Sequence, residues 1–237
     1  MNKSVKKTSP VICIDGPSAS GKGEISRRVA AKLGYHHLDS GMLYRILALE
    51  VDRRAFDLGD KAALLNLVMS LEIEFGGSGK SADAVKLNGE DVSFDIRTDK
   101  ISKFASKIAV IPSVREALLH RQIAFRAPPG LVADGRDMGT VVFPDAELKI
   151  FLTATSVARA ERRYKQLIGI GINVKIGEIL GELIERDERD KNRTLSPLLV
   201  PKKSIVIDST TLSVEQVVAQ VMDLVTNKRK EENGGAL

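Results

Sequence analysis

The stretch Gly16-Pro17-Ser18-Ala19-Ser20-Gly21-Lys22-Gly23-Glu24 constrains this chain more than any other. It follows a short apolar run, Val11 to Ile14, and opens a segment in which Ile25, Val29 and Leu33 recur at helical spacing. Strand, glycine-bounded loop and helix, in that order, form the context that a phosphate-binding loop requires. Such a loop wraps a polyphosphate so closely that backbone N–H groups point at its oxygens, and Gly16 and Gly21 permit that approach. The helix behind it offers unpaired N–H groups and its positive dipole end to the same anion. Lys22 adds a point charge that can follow a phosphate as it moves. Glycine-rich turns between strand and helix also occur without a ligand, but a Gly, four residues and Gly-Lys in this context make that the weaker reading.

The residue after Lys22 is Gly23, where the general motif carries a Ser or Thr for magnesium. This argues against an ordinary GTPase or ATPase motor. It is similar to the variant found in nucleoside-monophosphate kinases, which usually reads Gly-Lys-Gly-Thr. The last place here is Glu24, a carboxylate that repels a polyphosphate unless its side chain turns outward.

A chain of 237 residues suits one α/β domain with an insertion, or two small domains. No apolar run approaches the ~18 residues of a membrane span, and Val11 to Ile14 is too short for a signal-peptide core. The expectation is a cytoplasmic protein with no membrane partner. The single cysteine, Cys13, excludes an internal disulfide and a cysteine metal cage, and the adjacent His36 and His37 lack a third ligand at metal spacing. The net charge of +5 fits either a nucleic-acid surface or a site for a small anion. The arginines cluster near loop signals, and seven Phe, three Tyr and no Trp leave little for stacking bases, which favours the small anion over a polynucleotide.

In chain order, strands are expected at 11–15, 35–38, 131–134, 148–152 and 204–208, with helices between them. Gly34 is placed to end the first helix, and Asp39, Asp60, Thr98 and Ser156 to cap later ones. Between about 60 and 100 the texture changes. Leu71 to Phe75 alternates, Gly76 to Gly79 reads as a turn, and Asn88-Gly89 between strand-like residues is a strong hairpin signal. This reads as a small antiparallel insertion with too few apolar residues for its own core. Gly169 and Gly171 break the helix after the fourth core strand, and a last helix runs from Val214 to a charged, frayed tail. Apolar strands alternating with helices imply an α/β fold: a five-stranded parallel sheet covered by helices on both faces, with ligands at its carboxyl edge.

Three further clusters are expected to converge on that edge: Asp39-Ser40-Gly41 to Tyr44-Arg45, Asp134-Gly135-Arg136-Asp137-Met138-Gly139-Thr140, and Glu185 to Arg193. Each has a plainer reading, as helix caps, a turn, or a surface pair between Arg186 and Asp190. Together with Val114-Arg115-Glu116-Ala117 and Asp208-Ser209-Thr210, these stretches resemble the bacterial cytidylate kinases, in order, over roughly residues 11 to 225. The departures are Glu24, and Ala19-Ser20 where the family often has Gly-Ala.

The resemblance implies a P-loop nucleoside-monophosphate kinase fold over 11–227 and transfer of a phosphoryl group from ATP to CMP or dCMP, in pyrimidine nucleotide metabolism. It divides the chain into a core (11–59, 111–155 and 194–227), an acceptor-binding insertion (60–110) and a mobile helical lid (156–193), with flexible tails at 1–10 and 228–237. It places Lys22 and the 16–24 loop on the ATP phosphates, with Arg159, Arg162 or Arg163 reaching ATP from the lid. Ser40, Arg45 and Arg136 are implied at the acceptor phosphate, Ser106, Arg115 and Asp137 at the cytosine, and Asp39 and Tyr44 in the same CMP site. Arg186, Asp190 and Arg193 are implied at the acceptor sugar and the transferred phosphate, so that Lys22, Arg136, Arg186 and Arg193 carry the catalysis. Magnesium is implied on the nucleotide phosphates with no direct protein ligand, and a monomer is expected. A uridylate/cytidylate or adenylate kinase is the nearest rival, and a nucleotide-dependent binding protein the more distant one.

Overall fold

The computed structural model describes residues 9–75, 84–169 and 171–234. The expected arm before Ser9 and the expected turn at 76–79 lie outside them. In chain order the elements are β1 (Val11–Asp15), α1 (Lys22–Leu33), β2 (His36–Asp39), α2 (Ser40–Arg54), α3 (Lys61–Ser70), β3 (Ile73–Phe75), β4 (Val85–Leu87) and β5 (Glu90–Asp91). They continue as α4 (Asp99–Ile108), α5 (Pro112–Ala124), β6 (Leu131–Gly135), β7 (Leu148–Thr153), α6 (Ser156–Gly169), α7 (Ile176–Lys191), β8 (Ile205–Asp208) and α8 (Val214–Gly234). The chain divides into two compact units: one takes in everything up to Leu38 and from Phe125 onward, the other is Asp39–Ala124.

The first unit is built on a parallel five-stranded sheet in the order β2-β6-β1-β7-β8. Val11 pairs with Leu131 and Asp15 with Gly135, so β1 and β6 end side by side. Ile12 and Ile14 pack with Val29 of α1 and with Val218 and Val221 of α8. Val11, Cys13 and Asp15 point the other way along the strand and are equally buried. With both faces covered, β1 reads as an unbroken apolar run rather than an alternating one. Gly34, at φ 66°, closes α1 in the left-handed conformation that a residue with a Cβ adopts only at a cost. The helices α6 and α7 share a small cluster of their own, Ala160, Leu167, Ile179 and Leu183, with Ala19 of the loop packed against it.

Two expectations change here. α8 does not end near residue 227 but continues to Gly234. Arg229 holds that last stretch to the body of the unit, donating from Nη2 to the Tyr35 hydroxyl at 2.5 Å with its guanidinium 5.6 Å from the ring centre. The cap of α6 is Thr155 rather than Ser156, its Oγ1 accepting from the Ala158 N–H at 3.3 Å.

The second unit carries the three-stranded antiparallel sheet β3-β4-β5, with Asn88 and Gly89 at φ 50° and 83° forming the tight β4–β5 turn. Asp39, Asp60 and Thr98 cap α2, α3 and α4 by accepting from the N–H three residues on. The stretch 60–100 was expected to lack a core of its own. It shares the core of a larger unit: beside its own Leu64, Leu87 and Ile96, the buried residues include Leu43 and Leu47 of α2, Ile108 of α4 and Leu118 of α5.

Candidate active site

The loop between β1 and α1 is built for close approach. A Cβ on Gly16 would stand 2.1 Å from the Leu152 carbonyl oxygen, so no side chain fits there. Gly21, at φ 91°, turns the chain into α1 without a side-chain cap, leaving the helix N-terminus to whatever anion comes. Ala19 is also left-handed, at φ 57°, where the resemblance led one to look for glycine. Lys22 reaches back from Nζ to the Pro17 carbonyl oxygen at 3.3 Å.

A loop whose N–H groups turn inward must turn its carbonyl oxygens outward, and buried carbonyls need donors. Arginines supply them. Arg159 donates from Nη1 to the Ser18 carbonyl oxygen at 3.0 Å, from Nε to that of Ala154 at 3.1 Å, and pairs with Asp187 at 2.6 Å. Arg162 donates to the Ser20 carbonyl oxygen at 3.2 Å and to the Ser209 hydroxyl at 3.1 Å, and bonds the Ser209 carbonyl oxygen as well. Both were expected at ATP; their guanidiniums bond the carbonyl oxygens of the loop. Arg163, next along α6, is half-buried and donates to Gln166. Asp187 and Ser209 lay in stretches that carried the resemblance, but no role was expected of either. Their places, one helix and one strand further on, are visible only once α6, α7 and β8 are assembled.

Glu24 points along α1, away from the loop. Its oxygens meet Arg27 Nη2 at 2.6 Å and Arg28 Nε at 2.5 Å, and Arg28 continues to Glu215 at 2.7 Å. Burial alone would raise the Glu24 carboxyl, but the hydrogen bonds and charges of Arg27 and Arg28 outweigh it and hold the pKa below its ordinary value.

The stretch after β6 brings the expected arginines together around one carboxylate. Asp190 is fully buried on α7. Arg136 meets it from Nε at 2.6 Å and donates from Nη2 to the Ser18 hydroxyl at 2.8 Å, while Arg193 bonds the other Asp190 oxygen. Burial raises the Asp190 carboxyl; Arg136, Arg193 and Arg186 pull it down further, and the net shift is downward. The arrangement concentrates positive charge beside the phosphate-binding loop, around a buried carboxylate.

Asp15, at the end of β1, also escaped the sequence reading. Its two oxygens accept from the Met138 and Gly139 N–H groups at 2.9 and 2.8 Å, and it is completely buried. Burial pushes its pKa up to about 7, with Asp137 adding to the rise and the two N–H groups and Lys22 opposing it. Asp137 is itself buried, at the start of a single π-helical turn, Met138–Val142.

The remaining expected residues lie in the 39–124 unit. Arg45 pairs with Asp39 at 3.3 Å, the Ser40 hydroxyl accepts from Gln122 Nε2 at 2.8 Å, and the Arg115 guanidinium stands 6.0 Å from the Tyr44 ring centre. Ser106 is buried on α4. Among the described residues no group of three or more His, Cys, Asp or Glu is placed to hold a metal ion, and no helix is long and apolar enough to cross a membrane.

Comparison with known proteins agrees with this architecture over nearly the whole chain. The profile of the family described as cytidylate kinase matches residues 12–227. A cytidylate kinase of Aeromonas salmonicida (strain A449) is 51% identical over 214 residues, covering 90% of this chain and 93% of its own. One from Shewanella frigidimarina (strain NCIMB 400) is 51% identical over 226 residues, covering 94% and 98%, and one from Aliivibrio salmonicida (strain LFI1238) 48% over 220, covering 93% and 98%. This chain belongs to the cytidylate kinase family.

Proposed function

We propose that this protein transfers the γ-phosphoryl group of ATP to CMP or dCMP, giving ADP and CDP or dCDP. The observation that carries the reading is a formed phosphate loop with an arginine cluster at its side, in a chain of the cytidylate kinase family. Phosphoryl transfer asks little covalent chemistry of a protein; positioning and neutralising charge do most of the work. In this reading the loop amides and Lys22 take the ATP phosphates. Arg136, Arg186 and Arg193 neutralise the charge that spreads over the transferred group, and Asp190 keeps two of them pointed the right way. No general base is needed, because the acceptor phosphate is already an anion.

Magnesium enters as part of the substrate. Gly23 has no side chain to ligate it, so the ion would be held by phosphate oxygens. Ser40, Tyr44 and Arg45 with Asp39 are read as the acceptor-phosphate side, and Ser106, Arg115 and Asp137 as the groups that read the base. A carboxylate suits cytosine, whose N4 amino group donates, and repels the O4 carbonyl of uracil. Residues 156–193 are read as a lid whose closure keeps water from the phosphoryl group. The protein is read as a cytoplasmic monomer. The test is coupled ADP release across CMP, dCMP, UMP and AMP. The cytidine nucleotides should be turned over best, and a preference for AMP or UMP would overturn the proposal.

A further inference from the structure

Asp15 has no part in the mechanism just described, yet its surroundings are built around it. β1 and β6 end in register at Asp15 and Gly135. From Gly135 the chain runs through Arg136 and Asp137, then turns so that the next two amides, Met138 and Gly139, come back to the Asp15 carboxylate, one to each oxygen. The two residues that face the chemistry are thus pinned on one side by the strand and on the other by this carboxylate. Arg136 spans sideways to Ser18 and Asp190 from that pinned position. A carboxylate with no exposure is costly to bury, and a neutral acceptor cannot serve two adjacent N–H groups as well. Asp15 also immediately precedes Gly16 in the chain, so the residue that holds the Met138 and Gly139 amides is one peptide bond from the start of the phosphate loop.

We propose that Asp15 is a positioning residue for acceptor selection: it holds the 136–139 turn so that Asp137 presents its carboxylate to the cytosine amino group. This rests on the reading that Asp137 discriminates the base. It predicts a distinctive kinetic pattern. In Asp15→Asn the volume is kept, but one acceptor becomes an amide NH2 facing a backbone N–H, so the turn loosens. KM for CMP should rise at least about fivefold, and the CMP-over-UMP ratio of kcat/KM should fall at least about fivefold, with KM for ATP within about twofold. A residue that merely stabilises the strand would lower the melting temperature, or shift both substrates, without moving that ratio.

The experiment compares wild type, Asp15→Asn, Asp137→Asn and the double variant with CMP and UMP. If Asp15 acts through Asp137, the double variant discriminates no worse than Asp137→Asn alone. If Asp137→Asn shifts the ratio and Asp15→Asn does not, the positioning role is wrong while the base-reading role stands. If Asp137→Asn itself leaves the ratio unchanged, the base-reading role has failed, and the Asp15 proposal with it. A measurement on the unmodified protein covers the case in which Asp15→Asn does not fold. The charged groups acting on Asp15 are Asp137 and Lys22. Phosphate ionisation, common to both acceptors, cancels in the CMP-over-UMP ratio. Protonation of Asp15 removes one acceptor, so the ratio should fall as pH drops from 8 to 6, across the value of about 7. A ratio flat over that range overturns the proposal.

Discussion

Asp190→Asn isolates how much the arginine cluster depends on the buried carboxylate of Asp190. Asp190 is buried to 0% exposure, and its partners Arg136 and Arg193 keep only 13% and 7% of their side-chain surface. Asparagine fills the same space and still offers one carbonyl acceptor, but it leaves two largely desolvated guanidiniums without the charge between them. Breaking a buried pair of this kind costs about 3–5 kcal/mol. The retained acceptor argues for the lower end, about 3 kcal/mol, or a melting point lower by about 6–12 °C in a chain of this length. The pH dependence has a definite sign. The arginines hold the Asp190 carboxyl below its ordinary value, so its contribution is present above the unfolded pKa near 4. That contribution is lost as pH falls through the folded value. Thermal melts of both proteins, followed from pH 7 down to about pH 3, should show a wide gap that closes on the acid side. A gap under about 2 °C at pH 7, or one that persists unchanged into acid, would refute the reasoning. Asp190 would then be holding a proton, and the arginines would be finding their counter-charge elsewhere.

Lys22→Ala should cut kcat by about a hundredfold or more in a protein that still folds; near-normal turnover in the folded variant would exclude Lys22 from the phosphates. Glu24→Thr should leave KM for ATP within about twofold, because Arg27 and Arg28 already hold the carboxylate off the loop; a large gain in affinity would show that it opposes the nucleotide. Arg159→Lys should raise KM for ATP at least about tenfold, as one ammonium cannot serve the Ser18 and Ala154 carbonyls and Asp187 together; an unchanged KM would mean that the loop keeps its shape without them. Ala19→Gly relieves left-handed strain of about 1 kcal/mol and removes a methyl worth about 0.8 kcal/mol where it packs on the α6–α7 cluster, so denaturant unfolding should give a net change under about 1 kcal/mol; a loss beyond about 2 kcal/mol would mean that the packing dominates.

What the sequence made legible was local. The phosphate loop, the caps at Asp39, Asp60 and Thr98, and the Asn88-Gly89 turn each depend on a few neighbouring residues whose backbone needs are visible in their types. Thr155 and Ser156 are adjacent hydroxyls, and only the helix phase decides between them. The insertion's own residues showed that it lacks a separate core, but not that α2 and α5 supply much of the buried surface around it. The spacing of Arg159 and Arg162 places them on α6 but says nothing of their partners, and the outward carbonyls they meet exist only once the loop is closed. Asp15 read as the polar end of an apolar strand. Its partner amides lie more than a hundred residues further along the chain, and no local pattern announces them.

That separation has a consequence for how the chain is made. Asp15 and the Met138 amide it accepts from are 123 residues apart, and β1 finds its neighbours only in β6 and β7. At a ribosome adding about 5–20 residues per second, the strand Val11–Asp15 waits roughly 6–25 s before Leu131 is even synthesised. Throughout that time an apolar strand destined for the middle of a sheet has both hydrogen-bonding edges unoccupied, the condition that favours capture by chaperones or by other nascent chains. The intervening Asp39–Ala124 segment meanwhile has its own apolar residues to close upon. Its early collapse would shorten the effective tether between β1 and β6, and so lower the entropy that the late strand pairing must overcome.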